Sequence, residues 1–316
     1  MSAQPPCVLQ LGRLHPTVEQ GLASGFTTVK VPAPAAEALP LDEATAAQVE
    51  ALVTSAAMGL PAAWLAALPR LRVVSSFGVG TDRLPLEACQ ARGINVGYTP
   101  DVLNDCVADT AMAGLLAAAR QVCAADRFVR EGRWLNGPFA LTTQVSGKRL
   151  GILGLGRIGQ TIARRASGFD MEVAYHGRKP VQGVSWRYEA SLIELARWAD
   201  FLVLAIAGGA PTRHMVNASV LQALGPKGIL VNVARGSVVD EAALVHCLQS
   251  GELGGAALDV FENEPHVPAG LMALPQVVLM PHMASGTVET RQRMADQTLS
   301  NLHAGLSGQQ MVSPLP

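Results

Sequence analysis

A two-domain α/β protein, with a doubly wound parallel sheet as its larger part, is predicted by three features of the sequence. Short apolar runs such as Phe201 to Ile206 alternate with helix-length segments. A glycine-rich turn joins one of those runs to a helix. The length, 316 residues, exceeds what one hydrophobic core usually serves.

The composition narrows the class. Hydrophobic residues make up 49% and charged residues 16%, which leaves ample apolar surface to bury. The formal net charge of -1 offers no basic excess for nucleic acid. The five cysteines form no CxxC pair and their number is odd, so a disulfide or metal framework is not expected. Buried reduced thiols and a reducing, cytoplasmic setting are. Met1 to Gln10 has no basic stretch followed by an apolar one, so no secretory leader is read there. The apolar runs are too short and too broken by glycine to span a bilayer.

Taken in order, residues 7–11, 51–54 and 72–76 read as buried strands, and 94–97 as a further short one. Pro61 to Leu68 reads as the start of a helix, with proline at an early position. This alternation predicts a small flavodoxin-like parallel sheet. Pro100 disfavours helix at Thr99, and Asp101 is placed to cap one long Ala/Leu-rich helix running to about Arg130. Its apolar character suits packing between domains or against a second subunit. The second sheet is expected from Arg149–Leu153, Glu172–Tyr175, Phe201–Ile206, Gly228–Val233, Gly255–Leu258 and Val277–Met280. Helices are expected between them at Gln160–Gly168, Ser191–Trp198, Val220–Leu224 and Glu241–Ser250. Strands that are continuous apolar runs belong in a parallel sheet covered on both faces. A last helix, Ser285 to Leu306, returns to the first domain. The expected division is therefore 1–99 with 285–316 as a discontinuous substrate domain, and 100–284 as a nucleotide-binding domain.

Gly154, Gly156 and Gly159 form GxGxxG between strand LGIL and helix QTIARR. In that context the motif is a dinucleotide fingerprint. The first glycine makes the tight turn, the second lets backbone approach the pyrophosphate, and the third allows close helix–strand packing. The helix N-terminus adds unpaired N–H groups for the phosphates. The second strand ends in His176-Gly177-Arg178-Lys179 with no carboxylate to bind a ribose 2′-hydroxyl. Two cations there favour the 2′-phosphate of NADP(H), with NAD(H) as the alternative carrier.

Three polar residues follow strands of this second sheet: Arg235, Glu264 and His282. Open parallel sheets bind ligands beyond the carboxyl ends of their strands. Arginine suits a substrate carboxylate and carbonyl, histidine suits proton delivery, and a carboxylate orients an imidazole and favours its protonated form. Singly each has an ordinary alternative: a surface cation, a hydrogen-bonded structural histidine, a turn cap before Pro265.

Together with FGVGTDRLPLEACQARGINVGYTPDVLNDCVADTAMAGLLAAAR, SGKRLGILGLGRIGQTIARRA, VNVARGSVVDEAALVHCLQSGELGGAALDVFENEP and LMPHMASGT, these residues carry a resemblance. The chain resembles the D-2-hydroxyacid dehydrogenase family, most of all its glyoxylate/hydroxypyruvate reductase branch and the similar hydroxyphenylpyruvate reductases. The resemblance implies a Rossmann-type domain inserted into the smaller one. It implies NADPH-dependent reduction of a small 2-oxoacid (glyoxylate, hydroxypyruvate or an aryl pyruvate) to the D-2-hydroxyacid by a homodimer. Arg235 would bind the substrate carboxylate and carbonyl, with Glu264 paired to the acid/base His282. The N–H groups of Val79 and Gly80 would meet the substrate carboxylate, and Asp82 would be structural. Leu155, Gly156, Arg157 and Ile158 would meet the pyrophosphate. Gly177, Arg178 and Lys179 would surround the adenosine ribose. Ala205, Ile206, Val233, Ala234, Asp259 and Thr110 would lie along the cofactor. Two departures concern substrate choice. Asp109 replaces a frequent Glu, and LNGPFALTT follows the GRW segment, leaving Trp134 or Phe139 as the aromatic that reaches a partner's site. The rival readings are a corepressor-like nucleotide sensor and an NAD-dependent dehydrogenase of another substrate.

Overall fold

The computed structural model describes residues 5–32 and 38–315. Residues 1–4, the start of the segment read for a leader, lie outside the described residues. The chain divides into two compact units, Met1–Leu103 with Gly286–Pro316, and Asn104–Ser285.

The first unit is a five-stranded parallel sheet. Its strands are β1 (Cys7–Leu11), β2 (Thr27–Val31), β3 (Val49–Ser55), β4 (Val73–Phe77) and β5 (Asn95–Gly97), in the order β2-β1-β3-β4-β5. β1 and β4 are buried throughout, as their apolar runs require. β2, TTVKV, is a half-buried edge strand, so its polar residues hid it from a search for apolar runs. The C-terminal helix Val288–Leu306 joins this sheet, capped by the Thr287 side chain on the Thr290 amide. The Ser75 hydroxyl donates to Thr298 O at 2.8 Å, and a Cβ on Gly305 would stand 2.9 Å from Val73. Asn301 donates to Tyr98 O and accepts from the Ser313 amide, tying the chain end to β5's exit.

The second unit is a seven-stranded parallel sheet in the order β12-β11-β10-β9-β6-β7-β8. Its strands are β6 (Arg149–Leu153), β7 (Glu172–His176), β8 (Arg187–Tyr188), β9 (Phe201–Leu204), β10 (Ile229–Asn232), β11 (Gly255–Leu258) and β12 (Val277–Leu279). The strand order reverses at β6/β9, the switch point where such sheets bind ligands. Ser191, Asn217 and Asp240 cap three of the covering helices by accepting backbone N–H groups. Leu195, Leu221, Leu230, Leu244 and Leu271 form the core on one face.

One expectation is corrected. The single helix from Asp101 to Arg130 is two helices, Asn104–Ala119 and Val122–Arg130. Gln121 between them has φ 50°, a left-handed conformation that no helix continues through. Asp101 has positive φ (67°), in a tight turn that closes from the Val102 amide to Pro100 O, three residues before that helix begins. The short β8 was not anticipated, because two residues carry no periodicity. Among the described residues no helix is long and apolar enough to cross a membrane.

Candidate functional site

The glycine turn between β6 and the helix Arg157–Ala166 is shaped as its sequence requires. Gly154 has φ 96°, and a Cβ there would come within 2.8 Å of Ala205 O. A Cβ on Gly159 would stand 2.1 Å from Gly154 O, so helix and strand touch through bare backbone. A Cβ on Gly156 would meet nothing within 4 Å, which leaves open space over the helix N-terminus. That cradle fits a dinucleotide pyrophosphate. Arg157 and Gly156 face outward, Ile158 is half-buried, and the Leu155 side chain is buried, so only its backbone is offered to a ligand.

Across the turn, Ala205 and Ile206 leave β9 half-buried; the Ala205 amide continues the ladder by donating to Leu153 O. Arg178 and Lys179 are exposed after β7, with Gly177 half-buried beside them. Val233 and Ala234 leave β10 buried, and the Ala234 amide donates to the Asn232 side chain. Thr110, on the helix Asn104–Ala119, donates its hydroxyl to Cys106 O at 3.0 Å and to Ala284 O at 3.4 Å. Asp109 points the other way, pairing with Arg165 at 2.7 Å. Trp134 is exposed, and Phe139 packs edge-on against Phe128 with ring centroids 5.3 Å apart.

Three side chains from separate loops gather at the carboxyl end of the sheet. His282 Nδ1 lies 2.7 Å from Glu264 Oε2. Glu264 Oε1 accepts the Phe261 amide at 3.0 Å. Burial alone would raise the Glu264 carboxyl. The hydrogen bonds from His282 and Phe261, with the charges of His282 and Arg235, overcome that and hold it below its ordinary value. The three residues therefore share one electrostatic neighbourhood.

Two glycines permit the meeting. A Cβ on Gly236 would fall 1.8 Å from Phe261 C, so the loop after Arg235 touches the loop of Glu264 with no side chain between. A Cβ on Gly208 would stand 2.7 Å from Arg235 Cγ, so the arginine stem crosses bare backbone. The Asn232 amide group donates to Arg235 O, and Arg235 Nη1 to Ala234 O, which fixes the start of that loop.

Asp259 anchors the histidine turn. It is 1% exposed, and its two carboxylate oxygens accept the amides of Met283 (2.7 Å) and Ala284 (2.9 Å). The His282 amide donates to Asp259 O at 2.8 Å. These bonds hold His282 at φ 52°, a conformation that costs a non-glycine residue about 1–2 kcal/mol. Burial raises the Asp259 carboxyl despite both amides. This anchoring role was not legible in the sequence, where the resemblance places Asp259 only along the cofactor.

Val79 and Gly80 lie in the first unit, in the half-exposed turn after β4. The turn is pinned by Thr99, whose hydroxyl accepts the Gly78 amide and whose amide donates to Gly78 O, both at 3.0 Å. Asp82 is exposed two residues further on.

Comparison with known proteins settles the family. Residues 112–284 match the model of the D-isomer specific 2-hydroxyacid dehydrogenase NAD binding domain. The chain belongs to that family. This dehydrogenase is 48% identical over 267 residues to glyoxylate/hydroxypyruvate reductase A of Arabidopsis thaliana, covering 84% of this chain and 85% of the relative. It is 48% identical over 270 residues to hydroxyphenylpyruvate reductase of Plectranthus scutellarioides, covering 85% and 86%. Among solved structures it resembles the NADPH-dependent glyoxylate/hydroxypyruvate reductase of Sinorhizobium meliloti in complex with NADP and malonate. The TM-score is 0.93 at 43% identity, with 99% of this chain and 97% of that one covered. The dehydrogenase is thus an oxidoreductase of the glyoxylate reductase branch, built from two parallel-sheet α/β units, of which the second carries the nicotinamide-dinucleotide domain.

Proposed function

We propose that this dehydrogenase uses NADPH to reduce a small 2-oxoacid to the D-2-hydroxyacid, with glyoxylate, hydroxypyruvate and aryl pyruvates as the candidate class. The observation that carries the chemistry is the 2.7 Å pair of His282 and Glu264 within the charge of Arg235. Bound NADPH supplies the hydride. Arg235 holds the substrate carboxylate and polarises its carbonyl through a permanently charged fork. Glu264 engages Nδ1 of His282 and so orients Nε2 toward the ligand, where it gives a proton to the carbonyl oxygen.

The cofactor preference is supported by the segment that leaves β7, residues 176–180, where Arg178 and Lys179 are exposed and which contains no Asp or Glu. The NADP complex of the Sinorhizobium meliloti relative points the same way. The substrate class is supported by the names of the relatives. A homodimer is supported by Val122, Val129, Trp134, Leu135 and Leu141, apolar side chains all exposed within one stretch of chain. A cytoplasmic setting is supported by five unpaired cysteines, four of them buried.

Initial rates with glyoxylate, hydroxypyruvate and hydroxyphenylpyruvate, each with NADPH and NADH, test the reading. The expected result is turnover of at least one oxoacid, faster with NADPH at subsaturating cofactor. Cofactor binding without turnover of any oxoacid would overturn it in favour of a nucleotide-sensing role.

A further inference from the structure

The turn that carries Arg178 and Lys179 has no strand or helix of its own to hold it, and Arg178, Lys179 and Pro180 are exposed. Two adjacent cations on a loose turn would repel and splay. The turn is instead tied at both ends by phenol hydroxyls. Tyr175 is 1% exposed in β7, and its hydroxyl accepts the Val181 amide at 2.8 Å. Tyr188, in the two-residue edge strand β8, donates its hydroxyl to Gly177 O at 3.1 Å. The two rings pack at 5.5 Å between centroids. Behind them, the Glu189 amide donates to Tyr175 O at 2.8 Å, and His176 Nδ1 lies 2.9 Å from Glu189 O. The short β8 therefore braces the end of β7 and reaches over to the turn.

We propose that Tyr188 and Tyr175 are positioning residues for cofactor choice, clamping the Gly177–Val181 turn so that Arg178 and Lys179 are held ready for a ribose 2′-phosphate. The proposal rests on the reading that these two cations meet that phosphate. A clamped turn loses less freedom when the phosphate binds, so the clamp acts on affinity for phosphorylated nucleotides. A nucleotide with a 2′-hydroxyl draws on neither cation and gains nothing from it. Neither tyrosine touches the reacting atoms, so the rate of hydride transfer is unaffected.

The test compares adenosine 2′,5′-bisphosphate with adenosine 5′-monophosphate, which differ only in the 2′-phosphate, by calorimetric titration. KM and kcat with NADPH and NADH run alongside. Tyr188→Phe keeps the ring and removes only the hydroxyl. It is expected to weaken the bisphosphate about three- to tenfold, the scale of one neutral hydrogen bond. The monophosphate should change less than about twofold, with kcat unchanged. Tyr175→Phe should act in the same direction, with a lower melting temperature because its hydroxyl is buried. Equal weakening of both nucleotides by Tyr188→Phe, or of neither, overturns the proposal. The double variant Arg178→Ala, Lys179→Ala separates the two levels. If it weakens both nucleotides alike, the underlying phosphate reading fails. If it is selective while Tyr188→Phe is silent, only the clamp fails.

Discussion

The second unit holds two imidazole–carboxylate pairs that look alike and differ in what they can do. His282 meets Glu264 at 2.7 Å, and His214 meets Glu262 at 2.9 Å. Both histidines have left-handed backbones, with φ 52° and 50°. His282 uses Nδ1, the nitrogen nearer its backbone, and so presents Nε2 outward. His214 uses Nε2, the tip of its ring, so its outer nitrogen is occupied by protein. Glu262 also pairs with Arg213 at 2.6 Å, and its amide donates to Glu241. The lesson is that proximity of imidazole to carboxylate does not make a proton donor. The nitrogen that is engaged decides whether the other can reach a ligand.

The sharpest test of this contrast applies one substitution to both pairs. Asparagine tolerates positive φ, so it replaces either histidine without adding backbone strain. His282→Asn is expected to lower kcat by about 10²–10⁴-fold, the range for a general acid, with cofactor affinity retained. His214→Asn should lower kcat by less than about threefold. Steady-state kinetics and nucleotide titration check both, and comparable losses at the two sites would erase the distinction. Gly208→Ala comes next. The added methyl displaces the Arg235 stem, and a misplacement of that kind costs up to about 10²-fold in kcat/KM. Nucleotide affinity should hold, since the substitution bears on the arginine alone.

Asp259→Asn probes the anchor that His282 has and His214 lacks. An amide cannot accept two backbone N–H groups with both of its atoms, so one amide loses its partner, at a cost of about 1–3 kcal/mol. Denaturant melts should show that loss together with a fall in kcat. The smallest effect concerns pH. Because the folded Glu264 carboxyl lies below its ordinary value, its stabilising contribution is complete above the unfolded carboxylate pKa. It is lost as pH falls through the depressed folded value. Glu264→Gln should therefore flatten the stability profile only on the acid side. Melting temperatures measured between about pH 3 and 7 check this, and a difference confined to neutral pH would contradict it.

Much of this was legible locally. The apolar runs of β6, β9, β10 and β11 name themselves, because a strand buried on both faces keeps its polar residues, here Arg149 and Asn232, to its ends. The helix Glu241–Ser250 has the expected bounds, and the structure shows it capped by the Asp240 side chain and closed by a left-handed Gly251. The edge strands β2 and β8 and the break at Gln121 were not legible. Half-exposed edge strands lack the continuous apolar run of a strand buried on both faces, and a single left-handed residue in an Ala/Leu-rich run carries no compositional mark. Asp259 illustrates the same limit at the site, since both amides it holds lie more than twenty residues away.

By itself the sequence determined the kind of machine. A strand–GxGxxG–helix unit, cations following the second strand, and an arginine, a glutamate and a histidine each following its own strand are marks that depend on residues near each of those strands. Only the tertiary structure decided which histidine nitrogen faces its carboxylate, that Asp259 holds the histidine turn, and that Tyr188 reaches the Arg178 turn. Those outcomes depend on groups from different strands and turns that a correctly registered sheet brings together, while bare glycine backbone at Gly208 and Gly236 makes room for the Arg235 loop. Local pattern can name the side chains, but their angles and distances exist only once the strands between them are in place.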